Sequence, residues 1–234
     1  MPQPRLVRVS LATAAGLALL LAGCGAPAST GASTGSPSTN GRVRTPQERA
    51  AAFTLNAEGV RALGYRADWT GFPFVNPGAR IAIVDAAADP VAVLESGGNI
   101  SLLERNTGAL IATTAVGTSL TKFTGVTRVP AGVVVVSESE AFTIAPQTGN
   151  LNNREAFEQV VNTRPLTLGS TLILGTARGQ VLAHTLGRAI KAWGYATTAS
   201  FSVAPTTVGE GLIGAVSDAG EVIFLTTGGS LTGR

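Results

Sequence analysis

The sequence holds one cysteine and one histidine in 234 residues. A single cysteine leaves no partner for an intrachain disulfide. A single histidine, His184, excludes a metal centre built on several imidazoles. Charged residues make up only 13% of the chain and aromatics 5%. The formal net charge is +3, and two of those charges are Arg5 and Arg8, so the rest of the chain stands at 3 − 2 = +1. That balance gives no electrostatic case for nucleic acid. The apolar run at residues 11–21 is shorter than the ~20 residues a membrane-spanning helix needs. What is present is 29 glycines and 44% hydrophobic residues. This composition fits a β-rich globular domain with many tight turns, long enough to bury a sizeable core.

The N-terminus reads as a targeting segment. Arg5 and Arg8 form a positive region, residues 11–21 the apolar region, and Leu21-Ala22-Gly23-Cys24 its end. That tetrapeptide resembles the lipobox of bacterial lipoproteins. The resemblance implies cleavage before Cys24, with acylation of its thiol and its new amine. More than one acyl chain gives stable anchoring, which a single chain does not. Asp after the cysteine retains such proteins at the inner membrane. Gly25 stands there instead, which implies the outer membrane in a cell that has one. The expected division is a signal peptide over residues 1–23 and the lipidated Cys24 with a flexible linker over 24–44. A helical segment over 45–64 and a repeat domain over 65–234 complete it. Residues 25–41 are Gly, Ala, Ser, Thr, Pro and one Asn, the composition of a flexible tether. Thr45-Pro46-Gln47-Glu48 has the form of a capping box, and Gly64 is placed to stop the helix. Asn56 and Gly59 weaken its middle, so two short helices are an alternative.

The repeat has a period of about 40 residues. Its clearest mark is a polar turn between two apolar runs: Ser96-Gly97-Gly98-Asn99, Ser137-Glu138-Ser139-Glu140, Thr176-Ala177-Arg178-Gly179 and Ser217-Asp218-Ala219-Gly220. The turns start 41, 39 and 41 residues apart. Each unit reads as four strands. First strands are expected at residues 81–84, 123–129, 165–168 and 201–208. Second strands, the most apolar, fall at 91–94, 133–136, 172–174 and 212–216. Third strands follow at 100–103, 141–144, 181–183 and 221–225. Fourth, outer strands are expected at 109–114, 151–157, 188–193 and 230–234. A lone strand within residues 65–74 precedes the first unit. Continuous β-branched runs are the signature of strands buried on both faces. Gly108, Gly149, Gly187 and Gly228 sit where the third strand turns into the fourth and supply the positive φ of a tight reversal. The fold class is therefore all-β, a β-propeller of about four blades.

Gly179-Gln180-Val181-Leu182-Ala183 followed by Leu186-Gly187 and Trp193 resembles the pyrroloquinoline-quinone-type (PQQ-like) propeller repeat. So do residues 220–225 and the pairs Thr107-Gly108 and Thr148-Gly149. In that family a tryptophan after the turn docks one blade on the next. The resemblance gives that role to Trp193 and, before the first blade, to Trp69. Thr114 and Glu155 stand at the equivalent position in the first two repeats, a departure from the pattern. With a lipid anchor and no catalytic domain, the resemblance points within the family to the BamB-like lipoproteins, scaffolds of outer-membrane protein assembly that bind no quinone. That family uses eight blades, and four are counted here. A small closed ring, a half-ring completed by a second copy and a truncated member all fit the count.

No constellation of reactive residues stands out. His184 with Ser170 and Asp85 or Asp218 has no motif framing a nucleophile, and is expected to decorate a strand end. Asp85 and Asp89 could touch calcium, but the oxygen-rich loop is missing. Glu138 and Glu140 read as a hairpin tip. The expected function is a non-enzymatic, lipid-anchored envelope scaffold that binds a protein partner, with no cofactor, metal or nucleic acid. The alternative is a propeller that binds a small molecule or quinone.

Overall fold

The computed structural model describes residues 5–9, 12–13 and 56–234. Leu21, Ala22, Gly23 and Cys24, the tether and the capping box at Thr45 lie outside the described residues. Two short strands come first, β1 (Arg5–Val9) and β2 (Ala12–Thr13). Among the described residues a helix, α1 (Ala57–Ala62), follows. Asn56, expected to weaken a longer helix, is its N-cap, and its side-chain oxygen accepts from Gly59 N at 3.0 Å. This is the preferred use of Asn, whose short side chain satisfies a free N–H at the first turn. Gly64 takes φ +78 just past the helix end, as a left-handed cap requires.

The lone lead-in strand is split into β3 (Arg66–Gly71) and β4 (Phe74–Val75). β1 pairs with β3 and β2 with β4, both in parallel. Four antiparallel four-stranded sheets then follow in chain order. Blade 1 is β5 (Ile81–Asp85), β6 (Val91–Glu95), β7 (Asn99–Leu103) and β8 (Leu110–Ala115). Blade 2 is β9 (Phe123–Val129), β10 (Gly132–Ser137), β11 (Glu140–Ile144) and β12 (Leu151–Ala156). Blade 3 is β13 (Leu166–Leu168), β14 (Thr171–Gly175), β15 (Gln180–Thr185) and β16 (Ile190–Ala196). Blade 4 is β17 (Thr206–Thr207), β18 (Leu212–Val216), β19 (Val222–Thr226) and β20 (Leu231–Gly233). The all-β propeller-type fold read from the repeat is the fold observed.

The core lies between blades. Blade 1 presents Ala92, Leu94, Ile100 and Leu102 to Val133, Val135, Phe142 and Ile144 of blade 2. The alternate residues of blade 2, Val134, Val136 and Ala141, meet Leu172, Leu174 and Leu182 of blade 3. Ile173, Val181 and Ala183 then meet Ile213, Ala215, Ile223 and Leu225 of blade 4. Successive side chains of a strand point to opposite faces. A strand with a blade on either side is therefore apolar at every position, and all five residues of β6 are buried. Fully burying one such valine or leucine contributes about 1.5–3 kcal/mol.

One strand departs from expectation. The first strand of blade 4 is two residues long, not the eight of residues 201–208. Phe201 leaves the strand direction to fill the core between blades 3 and 4, where it is fully buried. It packs so closely on Gly175 that a Cβ there would lie 2.5 Å from the Phe201 Cβ.

Candidate functional site

β3 and the outer strands β8, β12 and β16 each reach forward to the turn between the third and fourth strands of the blade that follows. Trp69 Nε1 donates to Arg105 O at 2.6 Å. Thr114 Oγ1 donates to Gly149 O at 2.5 Å. Glu155 Oε1 accepts from Gly187 N at 2.7 Å. Trp193 Nε1 donates to Thr227 O at 2.9 Å. Thr114 and Glu155, which depart from the aromatic pattern, thus make the same inter-blade contact with polar atoms. The turn glycines serve two purposes. Gly108 has φ +73, and a Cβ there would lie 2.3 Å from the Trp69 ring. Gly149 has φ +73 and packs on Ala112, whereas Gly187 has φ +80 with open space where its side chain would be. In the fourth turn the left-handed residue under Trp193 is Gly229, with φ +84, and not Gly228. The turn there is one residue tighter than in blades 1 and 2: Gly229 N closes it on Thr226 O at 2.9 Å, three residues back, where Gly108 N and Gly149 N reach Glu104 O and Ala145 O, four residues back.

His184 stands next to the end of β15, as expected, but faces inward. It is buried at 3% exposure. Its Nε2 lies 3.0 Å from Glu155 Oε2, and its ring meets Phe157 edge-on at 5.1 Å. Glu155, also 3% exposed, takes a further bond from Asn153 Nδ2 at 2.5 Å. The groups that a hydrolytic triad would need are engaged elsewhere. Asp85 Oδ2 accepts from Arg128 Nε at 2.8 Å, tying blade 1 to blade 2. Asp218 accepts from Ser200 and Ser202 Oγ. The hydroxyl of Ser200 holds the Asp218 carboxyl below the usual carboxylate range; desolvation opposes it, and the hydroxyl and backbone of Ser202 add smaller lowering effects. Asp89 Oδ1 accepts from Arg105 N at 3.1 Å, a turn contact. Glu138 pairs with Lys122 at 3.3 Å. Glu140 takes both Nε and Nη2 of Arg154 at 2.9 Å, and its carboxylate raises the Arg154 pKa above the ordinary value. Among the described residues, no group of three or more His, Cys, Asp or Glu side chains is placed to hold a metal.

A cleft of about 890 Å³ opens at the turn end of blade 1. Three loops line it: Asn76 to Arg80, the turn at Ser96, Gly97 and Asn99, and Gly117 to Ser119. A second recess of about 330 Å³ shares Gly117 and Thr118 and continues to Glu140, Phe142 and Arg154 of blade 2. Val116, Phe142 and Leu151 line it beside Glu140 and Arg154, and the Arg154 guanidinium lies 5.5 Å from the Phe142 ring centre. The floor of the first cleft is set by Glu95, which is fully buried. Its carboxylate accepts from Asn76 Nδ2 at 2.9 Å, Gly97 N at 2.9 Å, and Asn99 N and Nδ2 at 3.1 and 2.7 Å. A buried charge held by four donors fixes both loops at once. Sequence reasoning missed Glu95 and passed over the burial of Glu155. The signal for Glu95 was its place, a charge closing an otherwise apolar strand. In blades 2, 3 and 4 the turn is tied instead by the hydroxyls of Ser137, Thr176 and Ser217. The groove is therefore polar at its rim, with Arg80, Arg154 and Glu140 as its charged groups, and rigid at its base.

No family model and no curated protein matches the sequence. Solved structures do match. The computationally designed Ika4 protein aligns at 13% identity over 63% of this chain and 91% of its own, with a TM-score of 0.53. BBS1N, in a structure of its complex with ARL6DN, aligns at 16% identity over 66% of this chain and 54% of its own, with a TM-score of 0.50. BamB from Moraxella catarrhalis aligns at 20% identity over 69% of this chain and 50% of its own, with a TM-score of 0.49. The chain thus spans about half the length of BamB and of BBS1N. At such identities the likeness is one of fold.

Proposed function

We propose that this protein is a non-enzymatic scaffold that holds a protein partner in the groove at the turn end of blades 1 and 2. In this reading Cys24 tethers it to a membrane, and it serves outer-membrane protein assembly as the BamB-like lipoproteins do. The observation that carries the binding role is the groove itself. It is open, lined by three loops, polar at its rim, and fixed from beneath by Glu95. A recess with convergent polar groups beside apolar side chains suits a loop or extended segment of another protein. That BBS1N was solved in complex with ARL6DN supports a binding role for this fold. The side chains that would serve catalysis are taken up in contacts between and within blades, which supports a structural use of them.

The test is crosslinking of the full chain in cells, followed by affinity capture. An envelope protein should be recovered with the wild type and lost at least about fivefold with Arg80→Glu, whose exposed side chain leaves the fold unchanged. Equal capture by wild type and variant, or no envelope partner at all, would sink the groove as the binding site.

A further inference from the structure

The outer strands β8, β12 and β16 each stand at one end of their sheet, with no described strand on the far edge. The ladder shows which backbone groups face that edge. Val116 N donates to Gly98 O at 2.8 Å. Bonded pairs recur at every second residue of an antiparallel ladder. Thr114 and Ala112 therefore turn their N–H and C=O towards Ile100 and Leu102, their partners on β7. The N–H and C=O of Thr113 and Ala115 turn away from the blade. Ile111 has no partner on β7, since the register shifts between Leu102 and Leu103. The same bond closes the other two ladders, from Phe157 N to Ser139 O and from Thr197 N to Gly179 O. Counting back alike from each, Arg154 and Gly194 stand where β8 has Thr113.

We propose that β8 pairs with β8 of a second copy of this chain, antiparallel about a two-fold axis at Thr113. Thr113 then exchanges both outward backbone bonds with its own counterpart, and Ile111 lies opposite Ala115 of the second copy. Such an axis sets the central residue of a strand against itself, so the strand must be self-complementary. β8 meets this condition and the other two do not. It carries no charged residue. Its centre is a β-branched threonine, a residue that suits a cross-strand pair. Leu110 and Ile111 beside it are 49% and 39% exposed. β12 would bring Arg154 against Arg154, with like charges directly opposite. β16 would bring together two copies of Gly194, which has no side chain to pack, and it carries Lys191. Charge is a common protection of a sheet edge, and β8 alone of the three lacks it. Pairing about this axis uses up the edge, so association stops at two copies. The contact is a single strand pair, smaller than a standard interface, and the dimer is therefore weak and reversible. This inference concerns self-association and does not rest on the partner reading of the groove.

Light scattering of the purified full chain in detergent is the test, read against the mass of the micelle. A monomer is expected at about 1 µM protein and a dimer at about 100 µM. Ile111→Lys supplies the edge charge that β8 lacks, and Ala115→Pro removes an N–H that the blade itself does not use. Each should weaken dimerisation at least about tenfold while leaving the circular dichroism spectrum and Tm unchanged. Leu151→Lys, the same kind of change on β12, should leave the dimer intact. Thr113→Cys reads the register without a loss of stability: on mild oxidation it should give a covalent dimer well above the wild-type level, and Leu151→Cys should not. A wild-type monomer at about 100 µM overturns the proposal, as does any larger assembly. So does a dimer that survives both β8 changes, one lost with Leu151→Lys, or the lack of a covalent dimer from Thr113→Cys.

Discussion

At the scale of the residue, the chain concentrates its chemistry in two buried carboxylates. Glu155 gathers His184, Asn153 and Gly187 N, and Glu95 gathers two loops. Removing one member of a buried hydrogen-bonded cluster leaves the others desolvated and unsatisfied, which costs far more than the bond itself contributes. Glu155→Leu should therefore lower stability to urea by about 3–5 kcal/mol, with part of the loss recovered in the double variant Glu155→Leu/His184→Phe. A single change costing under ~1 kcal/mol would show that the pair is not the tie between blades 2 and 3 described above. Neither carboxylate was legible as buried from the sequence. A Glu in a strand reads as a solvent-facing position, and only the packing of one blade on the next converts it to an interior one.

At the scale of the element, the second strands and the turns were legible because their causes are local. An apolar run buried on both faces announces itself residue by residue, and β9 and β18 begin and end where the pattern placed them. The first strand of blade 4 was not legible, because the pull of Phe201 into the core is a tertiary effect that strand propensity does not contain. The shift from Gly228 to Gly229 in the last turn has the same origin: two adjacent glycines permit either reversal, and Trp193 selects one. The turn glycines also differ in what they tolerate. Gly187→Ala faces only the strain of a positive φ and should cost about 1 kcal/mol. Gly108→Ala must in addition push aside the Trp69 ring, and should cost about 2 kcal/mol or more. Thermal unfolding of the two variants separates these effects, and equal shifts in Tm would mean that the ring does not hold the turn.

At the scale of the whole molecule, the 40-residue period carried the architecture, and the groove came into view only once loops distant in sequence were brought to one end of two blades. The tether proposed at Cys24 lies outside that architecture. Cys24→Ser is expected to abolish palmitate labelling and to move the protein from the membrane fraction to the soluble one. A variant that stays with the membrane would place the anchor elsewhere. The forward bonds between blades have one more consequence. They join residues 36, 35, 32 and 34 apart, always one repeat onward and never further. Stability is then a sum of units and of links to the nearest neighbour, as in a one-dimensional lattice. Folding can spread along such a chain from any well-formed unit, and the units are not equally joined: two links are aromatic, one is a hydroxyl and one a carboxylate. The lattice is thus uneven, and the hydroxyl that Thr114 offers the next turn is reinforced between blades 1 and 2 by the Arg128–Asp85 ion pair, so Arg128→Ala should part that junction first under denaturant.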